Sequence, residues 1–168
     1  MRATYHREMS VKSRLEADGF ETYLPTTCQV KTLHGRKRRV VKPAVSNLLF
    51  VKSEKQALQR FKAGVPELQY ITRPMDGRNV PIIVPERQMS DFIAVTSDKT
   101  ADVSFLLPED ANISRGTRVR IHGGAFDSME GVFTRISGKR NKRVVIEISG
   151  VVAVALDVQS ADYIEVLP

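Results

Sequence analysis

The side chains in this sequence best placed to do chemistry are cations, and what they offer is the holding of an anion. Arg7 and Arg14 are seven residues apart, which on a helix puts them on one face, two turns apart. Arg36, Lys37, Arg38 and Arg39 form the densest basic run, and Lys62 lies just before Gly64. Such groups bind phosphates; the same residues also fit a solvated helix face and an exposed hairpin tip. Groups that make and break covalent bonds are not assembled. His6, His34 and His122 are scattered, Cys28 is the single cysteine, and no His/Cys/Asp/Glu cluster has metal-ligand spacing. There is no G-x-x-x-x-G-K-[ST] phosphate loop and no G-x-S-x-G elbow. No catalytic residue, metal or cofactor is expected, and Cys28 is expected to be a plain, partly buried thiol.

The elements that must position these cations can be read from periodicity. A first helix is expected over 6–18, with Val11 and Leu15 on its inner face and a Glu8–Lys12 pair outside. Gly19 ends it, with Phe20 packing back on Leu15 as in a Schellman cap. A short strand over 21–24 ends at Pro25. Residues 29–33 and 36–42 form a β-hairpin about His34-Gly35, with the basic run on the return arm. NLLFV, 47–51, is a short buried strand. Residues 54–63 form a second helix with Ala57, Leu58 and Phe61 inside. Strands over 68–72 and 80–84 flank the turn MDGR, and Pro85 opens a third helix whose inner stripe is Met89, Phe92 and Ile93. Helices interleaved with antiparallel strands give an α+β sandwich.

The pattern changes after a polar stretch at 96–114, which is the expected linker. Five short strands follow, over 117–122, 132–137, 143–148, 152–158 and 163–167, and they suit a small closed barrel. The expected domains are therefore 1–95 and 115–168. Charge divides the same way: residues 1–95 carry 17 Lys+Arg against 9 Asp+Glu, and residues 96–168 carry 9 against 10. The first part attracts polyanions and the second does not. No apolar run reaches the roughly 20 residues of a membrane span. The first residues, MRATYHREMSVKSR, lack a signal-peptide apolar region. A soluble cytoplasmic protein is expected, with no membrane partner.

In GTRVRIHGGAFDSMEGVF, Val119 and Ile121 point to one face and Arg118 and Arg120 to the other. Gly123 and Gly124 permit positive φ, Phe126 turns back over the core, and Gly131 permits close approach. This pattern of Gly116, Val119, Ile121, Gly124, Phe126 and Gly131 resembles the KOW motif of the NusG family of transcription elongation factors. RATYHRE, ETYLP, KTLHGRKRRVVKP, AVSNLLFV, VPELQYITRP and NVPIIVPERQMSDF resemble successive parts of that family's N-terminal (NGN) domain. GKRNKRVVIEISGVVAVALDV with IEVLP is most similar to the UpxY group, associated with capsular polysaccharide operons in Bacteroides-type bacteria. The resemblance implies an NGN α/β sandwich followed by a five-stranded SH3-like KOW barrel. It also implies an elongation and antitermination factor, not an enzyme.

The resemblance implies RNA polymerase as partner, docked on an apolar patch at Val45, Leu48 and Phe50. Aromatics are common in relatives at Val45 and Leu48, so a smaller or shifted patch is expected. The face of Arg7 and Arg14, with Lys62 and the run 36–39 nearby, would meet non-template DNA or nascent RNA. A ribosomal protein or the termination factor Rho would bind the KOW barrel. The family's first strand commonly starts earlier, so a short first strand is expected. Ser128 stands where the motif commonly has glycine, at a cost if φ is positive there. The alternatives are a general NusG elongation factor and, in another class, a KOW-type ribosome or RNA-binding protein.

Overall fold

The structure is a computed structural model describing all residues except 34–35, 98–102, 107–115, 124–125, 136–141, 149 and 157–162. The chain divides into two compact units, Met1–Ile82 and Ile83–Pro168.

The first unit begins with β1 (Arg2–Ala3), short as expected, and a tight turn leads into α1 (Glu8–Ala17). Helix α1 starts two residues later than periodicity suggests, because Tyr5 and His6 both have positive φ. Its end is the expected Schellman cap. Gly19 has φ +83, Phe20 N donates to Leu15 O at 2.9 Å, and Gly19 N donates to Glu16 O at 3.1 Å. β2 (Glu21–Tyr23) then leads to the long hairpin of β3 (Thr26–Leu33) and β4 (Arg36–Pro43). β5 (Phe50–Lys52), α2 (Lys55–Ala63) and β6 (Leu68–Gln69) follow. β7 (Thr72–Met75) and β8 (Arg78–Pro81) close on Asp76 and Gly77, both at positive φ, as a two-residue hairpin requires. That hairpin sits tighter to the MDGR turn than the strand pair expected at 68–72 and 80–84, because Leu68 and Gln69 pair with β1 instead.

β2 pairs with β5, β1 pairs with β6, and an Arg2–Leu48 bridge links the two pairs, all antiparallel. Beneath lies one core of Ala3, Val11, Leu15, Leu24, Leu49, Leu58, Val65 and Leu68, with Phe20 and Phe61 packed edge to face at 5.2 Å.

The second unit opens with α3 (Glu86–Ser97). β9 (Val103–Leu106) falls inside the stretch expected to be linker. β10 (Thr117–His122), β11 (Glu130–Arg135), β12 (Lys142–Ile148), β13 (Val152–Leu156) and β14 (Tyr163–Val166) follow. They form one antiparallel six-stranded sheet in the order β14-β10-β11-β12-β13-β9. The expectation was five strands; β9 adds a sixth by pairing Phe105 with Val154. Among the described residues no pairing joins the two edges. The division of the chain falls after Ile82, not after residue 95, because α3 packs within the second unit. There the Phe92 ring meets Phe105 edge to face at 6.4 Å, and Gln88 Nε2 donates to Glu147 O at 2.9 Å.

Candidate nucleic-acid interface

The turn before α1 is fixed by bonds from distant parts of the chain. Thr4 donates to Glu67 O twice, from N at 2.9 Å and from Oγ1 at 3.2 Å. His6 N donates to Asn47 Oδ1 at 3.2 Å, and Arg7 N to Thr4 O at 3.3 Å. The Glu8 carboxylate, 2 % exposed, turns inward and accepts from Asn47 N. The expected Glu8–Lys12 pair is thereby displaced: Lys12 pairs with Glu16.

This turn aims Arg7 toward Arg14. Arg7 Nη1 lies 3.6 Å from Glu67 Oε1, and Arg14 Nη1 lies 3.4 Å from the same oxygen. Arg14 Nη2 also donates to Gly64 O at 3.3 Å. The Arg7 and Arg14 side chains are 60 % and 49 % exposed, and Glu67 is 14 % exposed. One carboxylate between two guanidinium groups leaves a net positive charge. Exposed ion pairs of this kind are worth about 0.2–1 kcal/mol, so an incoming phosphate competes for them readily. Lys62, in the last turn of α2, holds its Nζ 5.7 Å from the Tyr70 ring centroid, within cation–π range.

The basic run on β4 does not act as one block. Strand alternation puts Lys37 and Arg39 on the face carrying Cys28, Val30 and Val41, and Arg36 and Arg38 on the face carrying Lys31 and Lys42. All four are exposed, and residues 26–43 contain no Asp or Glu. Lys31 stands directly opposite Arg38, an unfavourable like-charge pair. Cys28 is exposed, contrary to the partly buried thiol expected, because the hairpin projects both of its faces.

The apolar trio separates as well. Val45 is half-buried in the turn after the hairpin, while Leu48 is 3 % and Phe50 8 % exposed. Leu49 belongs to the α1–α2 core, so alternation turns Leu48 and Phe50 to the opposite side of the strand. The exposed patch expected at these positions is thus reduced to Val45, because the chain itself already covers the other two.

In the second unit Gly116 precedes β10, and Val119 and Ile121 are each 1 % exposed. Phe126 is half-buried in the following turn, and Gly124 lies outside the described residues. Gly131 stands opposite Val119, and a Cβ there would lie 2.7 Å from Val144 Cγ1 and 2.8 Å from Val145 O, so close approach does exclude a side chain. Gly123 has φ +90 and Ser128 φ +65. The opposite face is a ladder of charge. Arg120 Nη2 lies 2.7 Å from Glu130 Oε1, Arg120 Nη1 3.5 Å from Glu165 Oε2, and His122 Nε2 2.8 Å from Glu165 Oε2. The hydrogen bond to Glu130 raises the Arg120 pKa, and the same bond holds the Glu130 carboxyl low. Cations here are matched, whereas among the described residues no ion pair is found for Arg36, Lys37, Arg38 or Arg39.

Sequence reasoning found the arginines but not what organises them. Glu67 is 53 residues from Arg14, and Asn47 is 39 from Glu8; no local spacing links such pairs. Among the described residues no group of three or more His, Cys, Asp or Glu could hold a metal ion, and no helix is long and apolar enough to cross a membrane. Residues 1–93, more than half of the chain, match the family described as transcription termination factor nusG. No curated protein matches the chain.

Proposed function

This chain belongs to the NusG family, and we propose on that footing that it binds RNA polymerase through its first unit and promotes processive transcription. The family is one of transcription factors that work with RNA polymerase, not one of enzymes. The match over residues 1–93 carries the reading. The action is binding alone: higher affinity for the elongating conformation than for the paused one shifts the population toward elongation. Val45 is the accessible member of the docking patch, Leu48 and Phe50 being buried. Arg7, Arg14 and Lys62 hold phosphates of the exposed non-template strand or the nascent RNA. The exposed cations Arg36, Lys37, Arg38 and Arg39 add attraction along the hairpin.

Residues 115–168 form the KOW domain on this reading, with β10 to β14 as its five strands. The inward Val119 and Ile121 and the close approach at Gly131 support that assignment. Its matched charge ladder favours a protein partner, a ribosomal protein or Rho, over nucleic acid. The target is a capsular polysaccharide operon, following the likeness of the C-terminal segment to the UpxY group. Single-round transcription with purified polymerase on such an operon's leader tests this. The protein is expected to shorten pauses and raise read-through. Unchanged pause lifetimes and read-through at saturating protein contradict it.

A further inference from the structure

Tyr5 is held in a conformation that a tyrosine adopts only under constraint. Its φ is +60 and its ψ +31, and the next residue, His6, has φ +54. Each left-handed non-glycine residue costs about 1–2 kcal/mol, and two in succession persist only where the surroundings over-determine them. Here the Thr4–Glu67 and His6–Asn47 bonds do so. The outcome is an aromatic ring 84 % exposed. Tyrosine normally buries much of its ring; this turn spends conformational energy to keep one in water.

The ring's neighbours define what it suits. Arg7 follows two residues later, and Arg7 and Arg14 share one carboxylate. Glu8, the acid closest in sequence, is buried and occupied by Asn47 N. An exposed aromatic beside under-neutralised guanidinium groups is the pairing that grips single-stranded nucleic acid, with stacking on a base and cations on the flanking phosphates. A base inside a duplex is already stacked on both faces and offers no such plane.

We propose that Tyr5 is a stacking platform for one unpaired base of a nucleic-acid strand whose phosphates are held by Arg7 and Arg14. The proposal rests on the nucleic-acid reading of those two arginines and adds the residue that selects single over double strands. Positive φ at Tyr5 is then the means of presenting the ring.

The test uses the full chain and oligonucleotides of one sequence, as DNA, as RNA and as DNA duplex, each carrying 2-aminopurine, whose fluorescence falls on stacking. Wild type is expected to quench a single strand and not the duplex. Tyr5→Phe keeps binding and quenching. Tyr5→Ala loses the quench and weakens binding at least about fivefold, with the salt dependence unchanged. Arg7→Ala keeps the quench but lowers the salt slope by about 0.7. Tyr5→Gly removes the strain, so it raises the melting temperature while losing the quench, an outcome no purely structural role gives. Quenching of DNA alone assigns the base to the non-template strand, and of RNA alone to the transcript; both support the platform. Tyr5→Ala binding and quenching like wild type overturns the platform while leaving the arginine reading intact. No binding of either single strand by wild type overturns both.

Discussion

Arg7, at the start of α1, and Arg14, seven residues on along the same helix, converge on one oxygen, Glu67 Oε1, at 3.6 and 3.4 Å. A single carboxylate thus sets the charge of the face proposed to meet nucleic acid. It holds both guanidinium groups in place and cancels half of their charge.

Replacing that carboxylate separates the two effects. Glu67→Gln is expected to raise affinity for single-stranded DNA severalfold and to steepen its salt dependence by up to about 0.7, the value of one further phosphate contact. Folding stability should fall by no more than about 1 kcal/mol, since both pairs are largely exposed on the arginine side. Titrations over a range of salt concentrations, with a parallel urea melt, read both quantities. Weaker binding would mean that Glu67 serves mainly to orient the arginines.

The two special backbone positions of the β10–β11 region should respond in opposite directions. Ser128 has φ +65, so Ser128→Gly should stabilise the chain by about 1 kcal/mol. Gly131→Ala forces a Cβ to within 2.8 Å of the Val145 carbonyl, which is backbone and yields little, so a loss of about 1–3 kcal/mol is expected. Denaturant midpoints of the two variants decide this.

The same turn should leave a mark on acid stability. Gly123 N donates to Asp127 Oδ1 at 2.7 Å and Ser128 Oγ to Oδ2 at 3.1 Å. The Gly123 backbone bond first, then the Ser128 side chain, hold the Asp127 carboxyl below its ordinary value of 3.8. A pKa lower folded than unfolded stabilises the fold above the ordinary value and ceases to do so as pH falls through the folded one. Asp127→Asn keeps an acceptor but cannot titrate, so its stability profile should be flatter below about pH 4. An unchanged acid limb would show that the turn adds nothing there.

Helix α3 should behave as part of the second unit. Phe92 is fully buried and packs on Phe105. A fragment of residues 83–168 should therefore melt cooperatively and well above a fragment of residues 96–168, and Phe92→Ala in the longer one should cost about 3–5 kcal/mol. Equal melting of the two fragments would place α3 outside that core.

What the sequence made legible was whatever depends on neighbours in the chain. The Schellman cap at Gly19, the hairpin with arms at 29–33 and 36–42, the inner faces of α1 and α2, and the alternation of Val119 with Arg120 are all local patterns, and each is found in the structure, the hairpin longer at 26–43. The misses are non-local. Glu8 reads as a surface acid by its spacing to Lys12, yet a backbone N–H 39 residues away draws it inside. Positive φ at Tyr5 leaves no trace in residue type, since tyrosine is a poor choice there. β9 lay in a polar stretch and forms because β13 offers an edge. Leu48 and Phe50 alternate with Leu49, which sets them on the other face of the chain but does not reveal that this face is buried too. Residue-level family likeness pointed to the arginines; only the fold shows that they share a counter-charge.

The central claim is that this chain recognises an elongating polymerase through its first unit. The most direct measurement is its affinity for a reconstituted RNA polymerase elongation complex, beside the same nucleic-acid scaffold without polymerase. Much tighter binding to the complex is expected, weakened by Val45→Asp, and weakened further and made less salt-dependent by Arg7→Ala with Arg14→Ala. Equal affinity for the complex and the bare scaffold, or no affinity for either, would contradict it.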